Sequence, residues 1–569
     1  MQKNIILINP PRYDLLPFHT IRDVPYGLLK IGGHFLSLGH KVTLINCMEG
    51  KLDLRTERKI KCGNYENEGR ERDVVYLGTP FEEIAEKLKS IKNPDEIWVS
   101  STMTYYWRAV HEVIDIAKKI HPNTPVILGG IYASLCPEHA RKSKADHIHE
   151  GPYLPAEKSR TALELLNKIP NYFIIKYTRG CPHNCSYCAV TKLEGHKMDF
   201  MDADRFVEEL EEKYHKFGIK SFHLWESNLL VDSRNRFEKV LDKILEKKLP
   251  IHLKFPEGLQ PSLVYPELAW KMRKVGIINF ALPLESADEE MYDRFHKPST
   301  LKQFDRAVNI FKDAGFEPKQ IRIFVLVGMP NQTIESIVKS DFKVLSMNCY
   351  LSNLRFTPIP GTEEYENNKE MLKDKELEDL HPVAYSMANP RMTVEDLETV
   401  RGLNSKKSLY DLIFMGRNNV SRIFKSLIKD HLVDIERFGD KTGRDIQILD
   451  NKPSKKIVTV GLIPKLKGLR QEGGFYAFYY PTSKCALQQG AKNIGMAFNI
   501  PSTCDNCLKL LVEGCEHHPV REITEDDVAE SFKLNKDSIK EECKRCKHYK
   551  RKQCRMLCVQ LKENDRRKK

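Results

Sequence analysis

Residues 178–190 read TRGCPHNCSYCAV and follow the apolar run FIIKY at 173–177. Cys181, Cys185 and Cys188 are therefore spaced by three and two residues on one tight loop at the end of a candidate strand. Three thiols so placed can each hold a different iron of a four-iron cube, which leaves the fourth iron open to a small molecule. An open coordination position marks a working metal centre, whereas a closed one marks a structural or electron-transfer centre. The rival reading is a zinc loop completed by a distant fourth ligand.

Outward from this loop, residues 161–385 alternate strand and helix patterns. After FIIKYTRG come IKSFHLWES, IHLKFPEG, INFALPLES, IRIFVLVGMP and LSNLRFTPIP, separated by helical stretches such as DADRFVEELEEKYHKFG, which Gly218 closes. Six strand candidates in this length predict a partial, TIM-like (β/α)6 barrel, because a complete eight-stranded barrel takes about 250 residues. The chemistry is then expected at the carboxyl ends of the strands.

Residues 1–160 alternate in the same way, with NIILINPP, KVTLINC, EIWVSS and PVILGG as strands. Between the last two, Tyr106, Val110, Val113, Ala117 and Ile120 recur on one helical face. A repeated strand–helix order predicts a doubly wound, Rossmann-like parallel sheet whose ligand sits at the carboxyl strand ends. The fold class is thus α/β, with this domain at 1–160, the barrel at 161–385, a helical segment at 386–440 and a small cysteine-rich metal-binding domain at 441–569.

The thiol spacing, the strand before it and Tyr187 ahead of the last thiol resemble the signature of the radical S-adenosylmethionine (radical SAM) superfamily. FPEGLQP (255–261), PLESADEEMYDR (283–294), VLVGMPNQTIES (325–336) and FTPIPGTEEYE (356–366) stand in the order and at the strand ends seen in such enzymes. The resemblance implies that Cys181, Cys185 and Cys188 hold a catalytic 4Fe-4S cluster whose open iron chelates S-adenosylmethionine. Reductive cleavage of the sulfonium then yields a 5'-deoxyadenosyl radical, with electrons from a donor such as a flavodoxin or ferredoxin. Tyr187 and Glu285 are implied at the cofactor, Gly328 where the backbone approaches the nucleoside, and Glu226 as a further candidate.

The first domain is similar to the cobalamin-binding domains that precede many radical SAM enzymes. The likeness rests on NPP after the first strand, PYGLLKIGGHFLSLGHKV (25–42) and LGGIYAS (128–134). It implies that Gly129 and Gly130 admit the corrin tail and that Ser101 contributes to the same site. An Asp-x-His-x-x-Gly element is absent and His19 is wrongly framed, so no histidine is expected on the lower cobalt face. Tyr105, Tyr106 and Trp107 either line the corrin or belong to the core. The methylthiotransferase branch is not expected, because Cys47, Cys62 and Cys136 do not follow the first strand as its extra cluster requires.

Eight of the fifteen cysteines lie after residue 484. Cys485, Cys504, Cys507 and Cys515 form one group of four, and Cys543, Cys546, Cys554 and Cys558 form another; each can close one metal site. The second group is similar to part of the auxiliary-cluster domains behind many radical enzymes. Two auxiliary 4Fe-4S clusters or two zinc ions are the alternatives, with His517 and His518 as possible extra zinc ligands.

From residue 441 onward 27 basic residues face 16 acidic ones, so +11 of the total +13 belongs to this end. It is either a solvated tail or a surface for RNA or an acidic partner. Cysteine clustering without a secretory pattern, and no run of about 20 apolar residues, predict a soluble cytoplasmic protein with no transmembrane segment. The expected activity is functionalisation of an unactivated carbon, with cobalamin-dependent methyl transfer placed first. Corrin-free rearrangement or carbon–carbon bond formation through auxiliary clusters is the alternative, and a noncatalytic metal-stabilised RNA-binding protein is the alternative of another class.

Overall fold

The computed structural model describes residues 2–16, 24–49, 53–62, 71–387 and 392–403, with short pieces at 420, 422–424, 426–427, 446–449 and 457–460. The chain divides into two units, Met1–Leu409 and Tyr410–Lys569. In the second, the strands Ile446–Leu449 and Ile457–Val460 form an antiparallel pair. The eight carboxyl-terminal cysteines and most of the expected helical segment lie outside the described residues.

In the first unit, the strands Lys41–Asn46, Asn4–Asn9, Glu96–Ser101, Val126–Gly130 and His147–Ile148 lie side by side in that order, all parallel. Alternation along Asn4–Asn9 explains why the sheet is covered on both faces. Ile6 and Ile8 pack with Val110, Val113, Ile114 and Ala117 of the Trp107–Ile120 helix. Ile5 and Leu7 pack on the other side with Leu28 and Phe35 of the Tyr26–Ser37 helix. Strands apolar at successive positions bury both faces, as a doubly wound sheet requires. The order reverses between Asn4–Asn9 and Glu96–Ser101, so the crevice at their carboxyl ends is the switch point where such sheets bind ligands.

An antiparallel sheet of Arg12–Leu15, Glu71–Gly78 and Asp53–Lys61 stands beside this domain. The sequence reading assigned no strands there. Its apolar side, with Tyr13, Leu15, Val74 and Tyr76, packs with Ala109 of the helix and with Val383 and Ala384 from beyond the barrel.

The six expected barrel strands all form. Tyr172–Ile175, Ser221–Leu224, His252–Gly258, Asn279–Glu285, Ile321–Val327 and Tyr350–Arg355 are parallel and adjacent in chain order. Phe237 from the Phe237–Glu246 helix meets Phe255, and Phe311 from the Leu301–Asp313 helix meets Phe280 at 4.3 Å between ring centroids. These contacts mark the outer face, and alternation then turns Lys254 and Ala281 inward. The Ala203–Phe217 helix opens on Asp202, whose side chain accepts from Arg205 N–H, and ends at Gly218 in the left-handed conformation.

The linker between sheet and barrel is pinned from both sides. Lys30 Nζ donates to the carbonyls of Glu157 and Ser159 at 2.9 and 2.5 Å, and fully buried Lys213 donates to the Thr161 carbonyl at 3.0 Å. Glu209 accepts from both Thr161 N–H and its hydroxyl. Buried charges persist only where partnered, so these groups fix how the sheet's strand ends meet the barrel.

Candidate functional site

The thiol loop is clamped at both ends by carboxylates. Glu226 accepts from Tyr177 N–H at 2.6 Å, from Thr178 N–H at 2.8 Å and from the Thr178 hydroxyl at 2.5 Å, so both of its oxygens are engaged just before the loop. Its place is therefore a holding one at the loop's entrance. Glu194 accepts from Gly180 N–H at 3.0 Å, and Cys181 N–H donates to Gly195 O at 3.1 Å. At the other end Glu364 accepts from the Ser186 hydroxyl at 3.2 Å and pairs with Arg294 at 2.6 Å.

Cys181, Cys185 and Cys188 are free thiols, half-buried. Asn228 Nδ2 lies 3.8 Å from Cys181 Sγ, and its amide also donates to Gln260, which meets His183 of the loop. Burial pushes the Cys188 thiol up to about 11 and raises Cys185 as well, with each neighbouring thiol adding to the rise and Lys297 opposing it. Among the described residues no three His, Cys, Asp or Glu side chains converge as they would on one ion. Sulfurs on three corners of a cube stand further apart than sulfurs around a single ion, so this donor set suits a cluster rather than zinc.

Glu285 closes its strand at a slip in register, where Pro283 and Glu285 pair with successive residues Phe324 and Val325. Its φ of 64° lies in the left-handed region, a costly conformation for a non-glycine residue and one that concentrates at functional sites. The Tyr187 hydroxyl donates to Glu285 Oε1 at 3.1 Å, and Lys297 Nζ lies 3.2 Å from the hydroxyl and 3.6 Å from Oε1. The Glu285 and Lys297 side chains are buried and Tyr187 is half-buried, and burial raises the Glu285 carboxyl above its ordinary value, against Lys297 and Tyr187. Glu285 Oε2 has no partner among the described residues. A buried acceptor left open beside the thiol loop fits the ammonium or hydroxyl donors of S-adenosylmethionine.

Gly328 follows the next strand with φ of 88°, and a Cβ there would stand 3.2 Å from the Tyr385 ring. Gln332, fully buried, accepts from Gly328 N–H and Met329 N–H and donates to Leu326 O, which holds this turn rigid. Gln332 stands within the VLVGMPNQTIES stretch, where its polarity beside an apolar run was the available signal. Lys297 had none, being one lysine in a charged segment.

At the first sheet, Ser101 Oγ donates to Gly129 O at 2.7 Å. A Cβ on Gly130, whose φ is 98°, would lie 2.2 Å from Ser101 O, so glycine is needed there by the sheet itself, while a Cβ on Gly129 would make ordinary contact with His149. Tyr105 lies edge-on to His381 at 4.6 Å, the Tyr106 hydroxyl donates to Asp14 at 3.1 Å, and Trp107 packs against His111 and His139. These aromatics are engaged by the protein itself. His381 bonds Asp14 at 2.9 Å through Nε2 and accepts from Val383 N–H through Nδ1, so neither ring nitrogen is spare. The Ile131–Leu135 helix, which begins directly after Gly130, packs on the Val190–Glu194 helix, which begins two residues after Cys188.

Comparison with known proteins agrees with this geometry. The radical SAM superfamily pattern matches residues 175–342 and the B12 binding domain pattern matches residues 66–157. The anaerobic magnesium-protoporphyrin IX monomethyl ester cyclase of Rubrivivax gelatinosus is 20% identical over 418 residues, covering 63% of this chain and 72% of its own. An uncharacterized methyltransferase of Pyrococcus horikoshii is 22% identical over 338 residues, covering 50% and 72%. Among solved structures, the radical S-adenosylmethionine methyltransferase TsrM of Kitasatospora setae aligns with a TM-score of 0.47 at 15% identity, over 65% of this chain and 77% of that one. Thiol loop, barrel and preceding sheet agree with these matches: the chain carries a radical SAM domain with a B12-binding domain ahead of it.

Proposed function

We propose that the protein is a cobalamin-dependent radical SAM methyltransferase acting on an unactivated carbon. The observation that carries this reading is the packing of the Ile131–Leu135 helix, rooted at Gly130, on the Val190–Glu194 helix, rooted at Cys188. It sets the sheet's ligand-binding end beside the cluster loop.

Cys181, Cys185 and Cys188 would hold the 4Fe-4S cluster, which when bound would supply the electron for reductive cleavage of S-adenosylmethionine, and a corrin held at the sheet would supply a methyl carrier. The chain's own residues do the positioning. Glu226, Glu194 and Glu364 hold the loop; Glu285 would offer its open oxygen to the cofactor's donors; Gln332 fixes the Gly328 turn, against which the nucleoside would lie. Buried Lys297 places a positive charge near the thiolates, which raises the potential of an anionic cluster and eases its reduction by an external one-electron donor.

The test is anaerobic reconstitution with iron, sulfide and hydroxocobalamin, followed by reduction in the presence of S-adenosylmethionine. Formation of 5'-deoxyadenosine and S-adenosylhomocysteine, both abolished by replacing Cys181, Cys185 and Cys188 with alanine, is the expected result. No cleavage product from an iron-replete protein refutes it.

Corrin-free radical chemistry is the second reading. It is favoured by the Asp14, Tyr106 and His381 contacts, which put the protein's own side chains beside the switch-point strands. Under that reading 5'-deoxyadenosine forms, but hydroxocobalamin is not retained on gel filtration. The basic cysteine-rich end, as an RNA or acidic-partner surface or an auxiliary-cluster domain, is a separate proposal that iron and zinc analysis of the full chain tests.

A further inference from the structure

The Cys181 corner of the thiol loop is reached by a chain of hydrogen bonds whose direction is fixed from its far end. Asn228 and Gln260 stand just past the carboxyl ends of two paired parallel strands, Ser221–Leu224 and His252–Gly258, and both are buried. The Pro298 carbonyl can only accept, and Ser262 Oγ donates its hydrogen there at 3.0 Å. Ser262 Oγ must then accept from Gln260, whose Nε2 lies 2.7 Å away. With its amide nitrogen so placed, Gln260 turns Oε1 the other way. That oxygen accepts from Asn228 Nδ2 at 2.8 Å and from His183 Nε2 at 3.0 Å.

Asn228 therefore presents nitrogen, not oxygen, on this side. One hydrogen of its amide goes to Gln260, and the other is left for Cys181 Sγ, 3.8 Å from Nδ2. A flipped amide would set Asn228 Oδ1 against Gln260 Oε1, two acceptors face to face, and would turn a lone pair toward the thiolate. The observed orientation leaves Asn228 Oδ1 buried without a partner among the described residues. The fold thus forgoes one hydrogen bond while keeping a donor at the sulfur. The other two thiols are met differently: Cys188 accepts from Val190 N–H, and Cys185 lies 3.9 Å from the His296 carbonyl oxygen.

We propose that Asn228 is a positioning residue that tunes the reducing centre through Cys181, and that Ser262, Gln260 and His183 hold its amide in the donating orientation. This deepens the radical SAM reading and rests on it, because there is a potential to tune only if Cys181, Cys185 and Cys188 hold the 4Fe-4S cluster. Hydrogen bonds to the sulfurs are one of the means by which a protein sets the potential of an iron-sulfur centre. Reduction puts more negative charge on the thiolates, and a donor gains with that charge, so an N–H at Cys181 favours the reduced form. Asn228 acts on one corner without adding charge, whereas the Lys297 ammonium acts on the whole loop.

The experiment uses the full-length, cluster-reconstituted protein without S-adenosylmethionine and follows its reduction by electron paramagnetic resonance at set potentials. N228L removes the donor and keeps the bulk. In it the ratio of reduced to oxidised cluster at a given potential is expected to fall about threefold, a shift of about 28 mV for one electron. N228D, of the same shape but with an acceptor oxygen toward the sulfur, falls further. Q260L, which frees the Asn228 amide to turn, lies between N228L and the wild type and keeps the test open should N228L load poorly. This order follows the charge presented to Cys181, which a residue that only packed would not produce. A fully loaded N228L or Q260L with the wild-type potential, or an N228D potential at or above that of N228L, overturns the proposal. Iron and sulfide content is scored alongside. Wild-type protein that takes up both but gives no reducible 4Fe-4S signal marks failure of the radical SAM reading, which is thereby told apart from failure of the Asn228 role.

Discussion

The Tyr187 hydroxyl donates to Glu285 Oε1 at 3.1 Å, joining the residue ahead of the last thiol to the end of a strand almost a hundred positions later. Through this bond the cluster loop and the cofactor-facing carboxylate move as one body. Lys297 completes the group and neutralises its charge.

Replacing Glu285 with glutamine keeps the shape and removes the charge. S-adenosylmethionine affinity is expected to fall about tenfold, from loss of a charge-assisted hydrogen bond. Equilibrium binding to the oxidised, cluster-loaded protein measures this, with iron content as the control that the thiol loop is intact.

Replacing Lys297 with methionine keeps the bulk of the side chain and deletes the buried ammonium. The cluster's midpoint potential is expected to become more negative, because an anionic centre loses a nearby cation. A redox titration followed by electron paramagnetic resonance gives the shift. K297R should restore the potential in part, and an unchanged potential in K297M would assign the lysine a packing role alone.

Gln332 satisfies two backbone N–H groups and one carbonyl in a fully buried turn. Truncation to alanine leaves these groups unpaired, and a loss of about 2–3 kcal/mol is expected. Denaturant unfolding of the barrel transition reads it directly.

His111 bonds the Tyr132 hydroxyl at 2.9 Å, and its pKa is lowered to about 4, chiefly by burial and next by His139. The unfolded residue titrates near 6.5, so the unfolded chain binds protons first. Stability from the neutral imidazole is complete above about pH 6.5 and is lost as the pH falls toward 4. Thermal midpoints measured across that window should drop less steeply in H111Q than in the wild type.

Much of the architecture was legible because it is written in short-range pattern. Strands such as NIILINP and IRIFVLVG alternate or run apolar over five to seven residues, and Asp202 and Gly218 bracket their helix with a cap at each end. The small antiparallel sheet escaped notice because RYDL, DLRTERKIK and ERDVVYLG mix charge and apolar residues without a clean period. They are held as strands by contact with Ala109, Val383 and Ala384, which are distant in the chain. Glu226 shows the same limit from the other side: its position near the loop is readable, but that both oxygens are taken by Tyr177 and Thr178 is a matter of folding.

By itself the sequence determined the three-thiol loop, the six barrel strands in their order and the parallel sheet ahead of them, since ligand spacing and hydrophobic period are properties of neighbouring residues. Only the tertiary structure decided that Glu285 keeps an open oxygen beside that loop, that Lys297 is buried against it, and that Lys30 and Lys213 grip one linker from two domains. Each of these joins residues far apart in the chain, and its energy comes from burial and from partners that the fold alone brings within reach.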